Sequence, residues 1–153
     1  MNHILDLRGL LHRSDVRSLF AESLYRPTKS RLDRWIVSLT GDMDVYAYGF
    51  LEKDTLVGVL AARRNLLQEK KLEMEILAIA VDPAFRGQGV GRELIQAVTR
   101  MHEPYQIVAE TDADAVAFYR RCGFQVKSLG EKYPGVVRYR CEWRGEERQS
   151  TGG

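Results

Sequence analysis

Cysteine is scarce in this chain. Only Cys122 and Cys141 occur among 153 residues, and two thiols without a Cys-x-x-Cys pair form neither a disulfide framework nor a redox motif. The three histidines, His3, His12 and His102, lie far apart without the spacing of metal ligands. Metal-assisted hydrolysis is therefore set aside and no metal is expected. Long apolar runs are missing as well: none nears the roughly 18 residues a membrane helix needs. The start MNHILDLRGLLHRSD lacks the basic-then-apolar form of a secretory signal. A cytoplasmic protein with no membrane partner is the expectation. Charge of one sign is absent too. Lys+Arg number 23 against 21 Asp+Glu, a formal net charge of +2, so nothing in the totals calls for nucleic acid. There is no internal repeat and no low-complexity segment.

What is present suits one soluble domain. Apolar residues make up 44% and charged residues 29%, enough for a single core under a polar surface. A domain over residues 1–144 and a polar tail over 145–153 are expected. Residues 14–25 carry Val16, Leu19, Phe20 and Leu24 at helical spacing behind Ser14 or Asp15 as a cap, and residues 28–39 repeat the pattern. The period then changes. Residues 45–64 read as two strands around a turn at Lys53-Asp54. Residues 71–81 alternate at first and then turn apolar on both faces, as a strand entering the middle of a sheet does. A helix over 90–101, a strand over 105–111, a helix over 112–122 and strands over 124–130 and 136–143 follow, the last two joined through Tyr133-Pro134-Gly135. That order predicts an α/β or α+β domain around one mixed sheet.

One stretch asks for a special explanation. ILAIAVDPAFRGQGVG, residues 76–91, ends a buried strand and then sets Gly87, Gly89 and Gly91 two apart. A helix start leaves backbone N–H groups without partners and carries partial positive charge. Glycines keep side chains out of the way, so an anion, phosphate above all, can reach those groups. Arg86 at the mouth adds a charged donor. A tight turn with no ligand is the plainer alternative. The Walker pattern is absent, and a dinucleotide pattern begun at Gly87 would need glycine where Arg92 stands.

What remains, Arg86-x-x-Gly89-x-Gly91 after a strand, resembles the acetyl-coenzyme A signature of the GNAT N-acetyltransferase superfamily. AVAFYRRCGF, residues 115–124, resembles that superfamily's second conserved helix. The resemblance covers residues 45–143 and implies the acyl-coenzyme A N-acyltransferase fold: a single mixed, mostly antiparallel sheet, splayed at its central parallel pair and flanked by helices. It implies acetyl-coenzyme A as co-substrate and a primary amine as acceptor, on a small molecule or a protein, with direct transfer in a ternary complex. Members often dimerise through the late strands, so a homodimer is allowed for.

Residue by residue, the resemblance implies that backbone N–H groups of Arg86, Gly87, Gln88, Gly89, Val90 and Gly91 hold the pyrophosphate. Leu77, Ala78, Ile79, Ala80 and Val81 would offer unpaired backbone groups to the pantetheine arm. The second signature adds Asp112, Ala115, Phe118, Tyr119 and Arg121 to the coenzyme's contacts. Tyr119 is the candidate acid for the leaving thiolate, since a phenol has comparable basicity; the alternative is an aromatic packed beside Phe118. Glu75 falls where a glutamate base stands in the histone-acetylating branch, with Glu73 on the same strand face; the alternative is a solvated strand end. Asp112 replaces a common asparagine and suits helix capping. Cys122 reads as a small helix residue, and Arg120-Arg121 face either phosphates or solvent. The contrasting reading of the whole chain is a non-catalytic acyl-coenzyme A sensor.

Overall fold

The computed structural model describes residues 3–24 and 27–145. Tyr25, expected at the end of the first helix, and the expected tail from residue 146 on lie outside the described residues. The elements are β1 (Ile4–Asp6), α1 (Ser14–Ala21), α2 (Lys29–Thr40), β2 (Val45–Glu52), β3 (Thr55–Leu66), β4 (Leu72–Val81), α3 (Val90–His102), β5 (Gln106–Thr111), α4 (Val116–Arg121), β6 (Gln125–Tyr133) and β7 (Val136–Arg144). Local chemistry accounts for most boundaries. Thr28 caps α2 by accepting from Arg31 N at 3.1 Å. The β2–β3 turn puts Lys53 at φ 57°. Gly145, expected to open the tail, is buried and donates to Tyr105 O at 2.9 Å.

The strands form one sheet in the order β1-β2-β3-β4-β5-β7-β6. Among the described residues only β4 and β5 run parallel; the other pairs are antiparallel. Each face carries a core. Val90, Leu94, Ile95 and Val98 of α3 and Tyr119 of α4 pack on one side with Met74, Ile76 and Ile107. Val16, Leu19 and Phe20 of α1 and Ile36 and Leu39 of α2 pack on the other with Ala61, Ala78 and Ala80. This is the mixed, centrally split sheet expected from the sequence.

The feature that shapes the site is a β-bulge in β4. Against β3, Ile76 pairs with Ala62 and Ala78 with Ala61, which leaves Leu77 without an opposite residue. One extra residue reverses the side-chain alternation beyond it. Before the bulge, Met74 and Ile76 face α3; after it, Ile79 and Val81 do, while Ala78 and Ala80 turn to α1 and α2. The apolar character on both faces of residues 76–81 thus reflects central burial and this change of face together.

At the other end of α3, His102 is half-buried against Tyr46 and Tyr48, with Nε2 at 2.7 Å from Tyr48 Oη. Burial, then the nearby Asp6, pushes the Tyr48 phenol up to about 12, so the phenol donates and the imidazole accepts. Burial, then Arg64, lowers the His102 pKa. A histidine kept neutral in the fold contributes stability that is complete above its unfolded pKa near 6.5 and is lost as pH falls below it. The urea midpoint is therefore expected to drop between about pH 7.5 and 5.5, and His102→Gln to flatten that part of the profile. An unchanged slope in His102→Gln assigns the loss to other groups.

Candidate active site

β4 and β5 stay paired only from Glu73 with Gln106 to Ile76 with Ala109. Beyond the bulge, β4 keeps β3 on one edge and has no strand on the other. A cavity of about 840 Å³ opens along that free edge. Its lining includes Ile79, Ala80 and Val81 of β4, Arg86, Gly87 and Gly89 of the loop, Val90 and Gly91 of α3, and Ala115, Phe118 and Arg121 around α4.

The loop is built by its own residues. Asp82 Oδ1 accepts from Ala84 N at 2.9 Å and turns the chain out of β4. Gly87 and Gly89 have φ 78° and 85°, the left-handed region that a Cβ disfavours. Gly89 is the N-cap of α3 and carries no side chain to occupy the first amides of the helix. Gly91 has a different reason. A Cβ there would stand 2.8 Å from Phe118 Cε1, so glycine lets α4 lie against α3 and form the cavity floor.

At the closed end of the split, Glu73 is bound on both oxygens, by Asn65 Nδ2 at 2.9 Å and Gln106 Nε2 at 2.6 Å. Glu75 shares Asn65 at 3.3 Å and lies 3.8 Å from Arg63, both through Oε1. Among the described residues its Oε2 makes no such bond. Of the two carboxylates, Glu75 alone keeps an oxygen without a hydrogen bond to a described residue. On β5, Glu110 accepts from Lys132 and Arg138, each at 3.2 Å. Burial would raise its pKa, but these two cations hold it below the ordinary range. They tie the β6–β7 hairpin to the far wall of the split.

Tyr119 approaches from the opposite face of the sheet. Its ring is buried, edge-on to Phe118 and Phe124. Its hydroxyl has no hydrogen bond to a described residue. Among the described residues no sealed side-chain oxygen lacks a partner, so this oxygen reaches accessible space. Burial, then the neighbouring thiols of Cys141 and Cys122, raises the phenol well above 10.

Eleven of the sixteen positions expected at the coenzyme, from Ile79 to Arg121, line the cavity. Leu77, Ala78, Gln88, Asp112 and Tyr119 do not. Leu77 and Ala78 straddle the bulge with side chains towards α1 and α2. Asp112 caps the turn before α4, accepting from Asp114 N at 3.1 Å. Glu22, Phe85, Arg92, Asp114 and Cys122 join the lining unannounced by the sequence. Phe85 and Arg92 flank the glycines and could have been found as neighbours of the motif; Glu22 left no local signal. Among the described residues no group of His, Cys, Asp and Glu is placed to hold a metal ion, and no helix is long and apolar enough to cross a membrane.

Residues 11–124 match the Acetyltransferase (GNAT) family. The chain belongs to that family. It is the family whose two signatures the sequence resembles. N-alpha-acetyltransferase 30 of Schizosaccharomyces pombe is 28% identical over 116 residues, 72% of this chain and 75% of that protein. N-alpha-acetyltransferase RimI of Mycobacterium tuberculosis is 38% identical over 82 residues, 52% of this chain and 51% of that protein. The chain spans between 23% and 75% of the length of these and the other first curated relatives it matches. Arabidopsis thaliana NAA60, solved in complex with acetyl-CoA, shares the fold with a TM-score of 0.73 at 15% identity, over 92% of this chain and 97% of that one.

Proposed function

We propose that this GNAT-family protein transfers the acetyl group of acetyl-coenzyme A to the α-amino group of a protein N-terminus, by direct transfer with both substrates bound together. The observation that carries the coenzyme half is the interrupted β4–β5 pairing beside a helix start with two left-handed glycines. The residues fit that group: the open strand edge offers amides and carbonyls to the pantetheine arm, the loop offers N–H groups to phosphates, and Arg86, Arg92 and Arg121 surround the cavity. The acceptor half rests on the relatives named N-alpha-acetyltransferases.

Acetyl-coenzyme A, when bound, supplies a thioester already activated towards amines. The chain supplies position and protons. Glu75, on the α1 and α2 face, takes the proton of the incoming ammonium, directly or through water. Backbone N–H groups around the bulge, at residues 77–79, would donate to the oxygen of the reacting carbonyl. Tyr119, on the α3 and α4 face, keeps its proton throughout the working range and offers it to the departing sulfur as a hydrogen bond. Acid and base thus act from opposite faces of the sheet and meet only where the sheet is split. A cysteine relay is disfavoured: burial raises the thiols of both Cys122 and Cys141, against the opposing pull of nearby arginines.

The test is thiol release from acetyl-coenzyme A over a panel of acceptors. Peptides with free N-termini are expected to release thiol and to gain one acetyl group on the α-amine. The same peptides with blocked N-termini and an internal lysine are expected to stay inert. Release from lysine alone would move the acceptor to side chains. Coenzyme binding without release from any amine would favour the sensor reading.

A further inference from the structure

Among the residues that line the cavity, Glu22 is the one that comes from the α1 and α2 half of the molecule. Two features make a carboxylate costly there. It sits at the C-cap of α1, where unpaired carbonyls carry partial negative charge. It also borders a cavity proposed here for a polyanion. Its partner is Arg86: Glu22 Oε1 accepts from Arg86 Nη2 at 3.2 Å. Arg86 Nε in turn donates to Val81 O at 3.2 Å. The guanidinium is therefore folded back over the end of β4 and held from both sides. Two of the donors that an incoming phosphate would use, Nε and Nη2, are already engaged.

We propose that Glu22 is an internal counter-ion for Arg86, displaced by the coenzyme's phosphates, so that coenzyme binding unpins the C-terminal end of α1. This deepens the coenzyme reading above and rests on it. Displacement is physically reasonable. The side chains are 60% and 39% exposed, and a pair this open to water is weak. A diphosphate brings more charge and accepts from the guanidinium fork in two places. Residues 22–24 lose a tether when this happens. Their amides are held only by the last-turn bonds Glu22 N to Leu19 O, Ser23 N to Phe20 O and Leu24 N to Ala21 O, at 3.0–3.2 Å. The end of α1 is where the chain departs towards α2, on the face that carries Glu75. The coenzyme cavity and the opposite face of the sheet are thereby linked by one ion pair.

The test uses coenzyme A, titrated calorimetrically into the full chain, with amide hydrogen exchange read at residues 22–24. Glu22→Gln is expected to bind coenzyme A about two- to five-fold more tightly at low salt, a gain that shrinks in about 0.5 M salt as screening removes both the pair and the repulsion. In the natural chain, coenzyme A is expected to speed exchange at residues 22–24. In Glu22→Gln those amides exchange fast without coenzyme and do not change on its addition. Equal or weaker binding by Glu22→Gln, or protection of those amides by coenzyme A in the natural chain, overturns the proposal while leaving the cradle in place. No binding by the natural chain removes the cradle and the counter-ion together.

Discussion

Gly89→Glu is expected to weaken coenzyme A binding by about a hundredfold or more while the protein still folds. Two costs enter and they fall on different quantities. Gly89 has φ 85°, and an L side chain there costs on the order of 1–2 kcal/mol of stability. No atom lies within 4 Å of the Cβ position, so sterics add nothing and the fold tolerates the change. The carboxylate does the larger damage, because it stands at the N-cap of α3 where phosphates would be received. Like charges brought together at a binding site cost several kcal/mol, and about 2.7 kcal/mol is already a hundredfold. Gly89→Ala separates the costs: it carries the strain without the charge and is expected to lose similar stability but far less affinity. Calorimetry on both variants, with a denaturation curve for each, makes the comparison. Unchanged affinity in a folded Gly89→Glu protein would falsify the phosphate cradle.

Tyr119→Phe is expected to lower kcat about a hundredfold, with coenzyme affinity and thermal stability nearly unaltered. Proton donation by a positioned side chain contributes roughly 10²–10⁴, and a phenol that hydrogen-bonds the leaving sulfur belongs at the low end. Stability is spared because the hydroxyl bonds to no described residue, while the edge contacts with Phe118 and Phe124 remain in the variant. A tyrosine present only for packing predicts the reverse: normal turnover after loss of the hydroxyl. The raised phenol also sets a pH signature. Since its pKa lies above the ordinary value of 10, Tyr119 stays protonated throughout the working range, and it contributes no alkaline fall in kcat below about pH 10. Turnover that survives in Tyr119→Phe assigns the proton to another donor.

Much of this was legible in the chain because the signals were local. The helical stripes of α2 and α3, the β2–β3 turn and the strand that turns apolar on both faces all arise within a dozen residues. The two signatures carried the fold as well, since each names a strand or turn together with the helix it feeds. Local signals also had limits. β1 has three residues, Ile4–Asp6, too few to show alternation, and it is a strand only because β2 lies beside it. The first helix ends at Ala21, several residues short of its apolar pattern. The last helix reads as one element over 112–122, but it is a tight turn capped by Asp112 and then the short α4.

The glycine loop shows where the division lies. That residues 86–91 leave a strand, carry glycine at every second position and start a helix was determined by the sequence alone, because backbone freedom is a property of the residue. Why each glycine is there was not. Gly87 and Gly89 answer to the left-handed backbone of the loop, whereas Gly91 answers to Phe118, which only folding brings within 2.8 Å. The same holds for the bulge at Leu77, which exists only in the register between β3 and β4, and for Glu22, set against Arg86 from 64 positions away. Contacts between distant segments depend on how the layers stack, and periodicity carries no record of them. The sequence by itself determined a glycine-rich turn between a buried strand and a helix; the tertiary structure alone decided which charges border the cavity beside it, and that Glu75 and Tyr119 lie on opposite faces of the sheet.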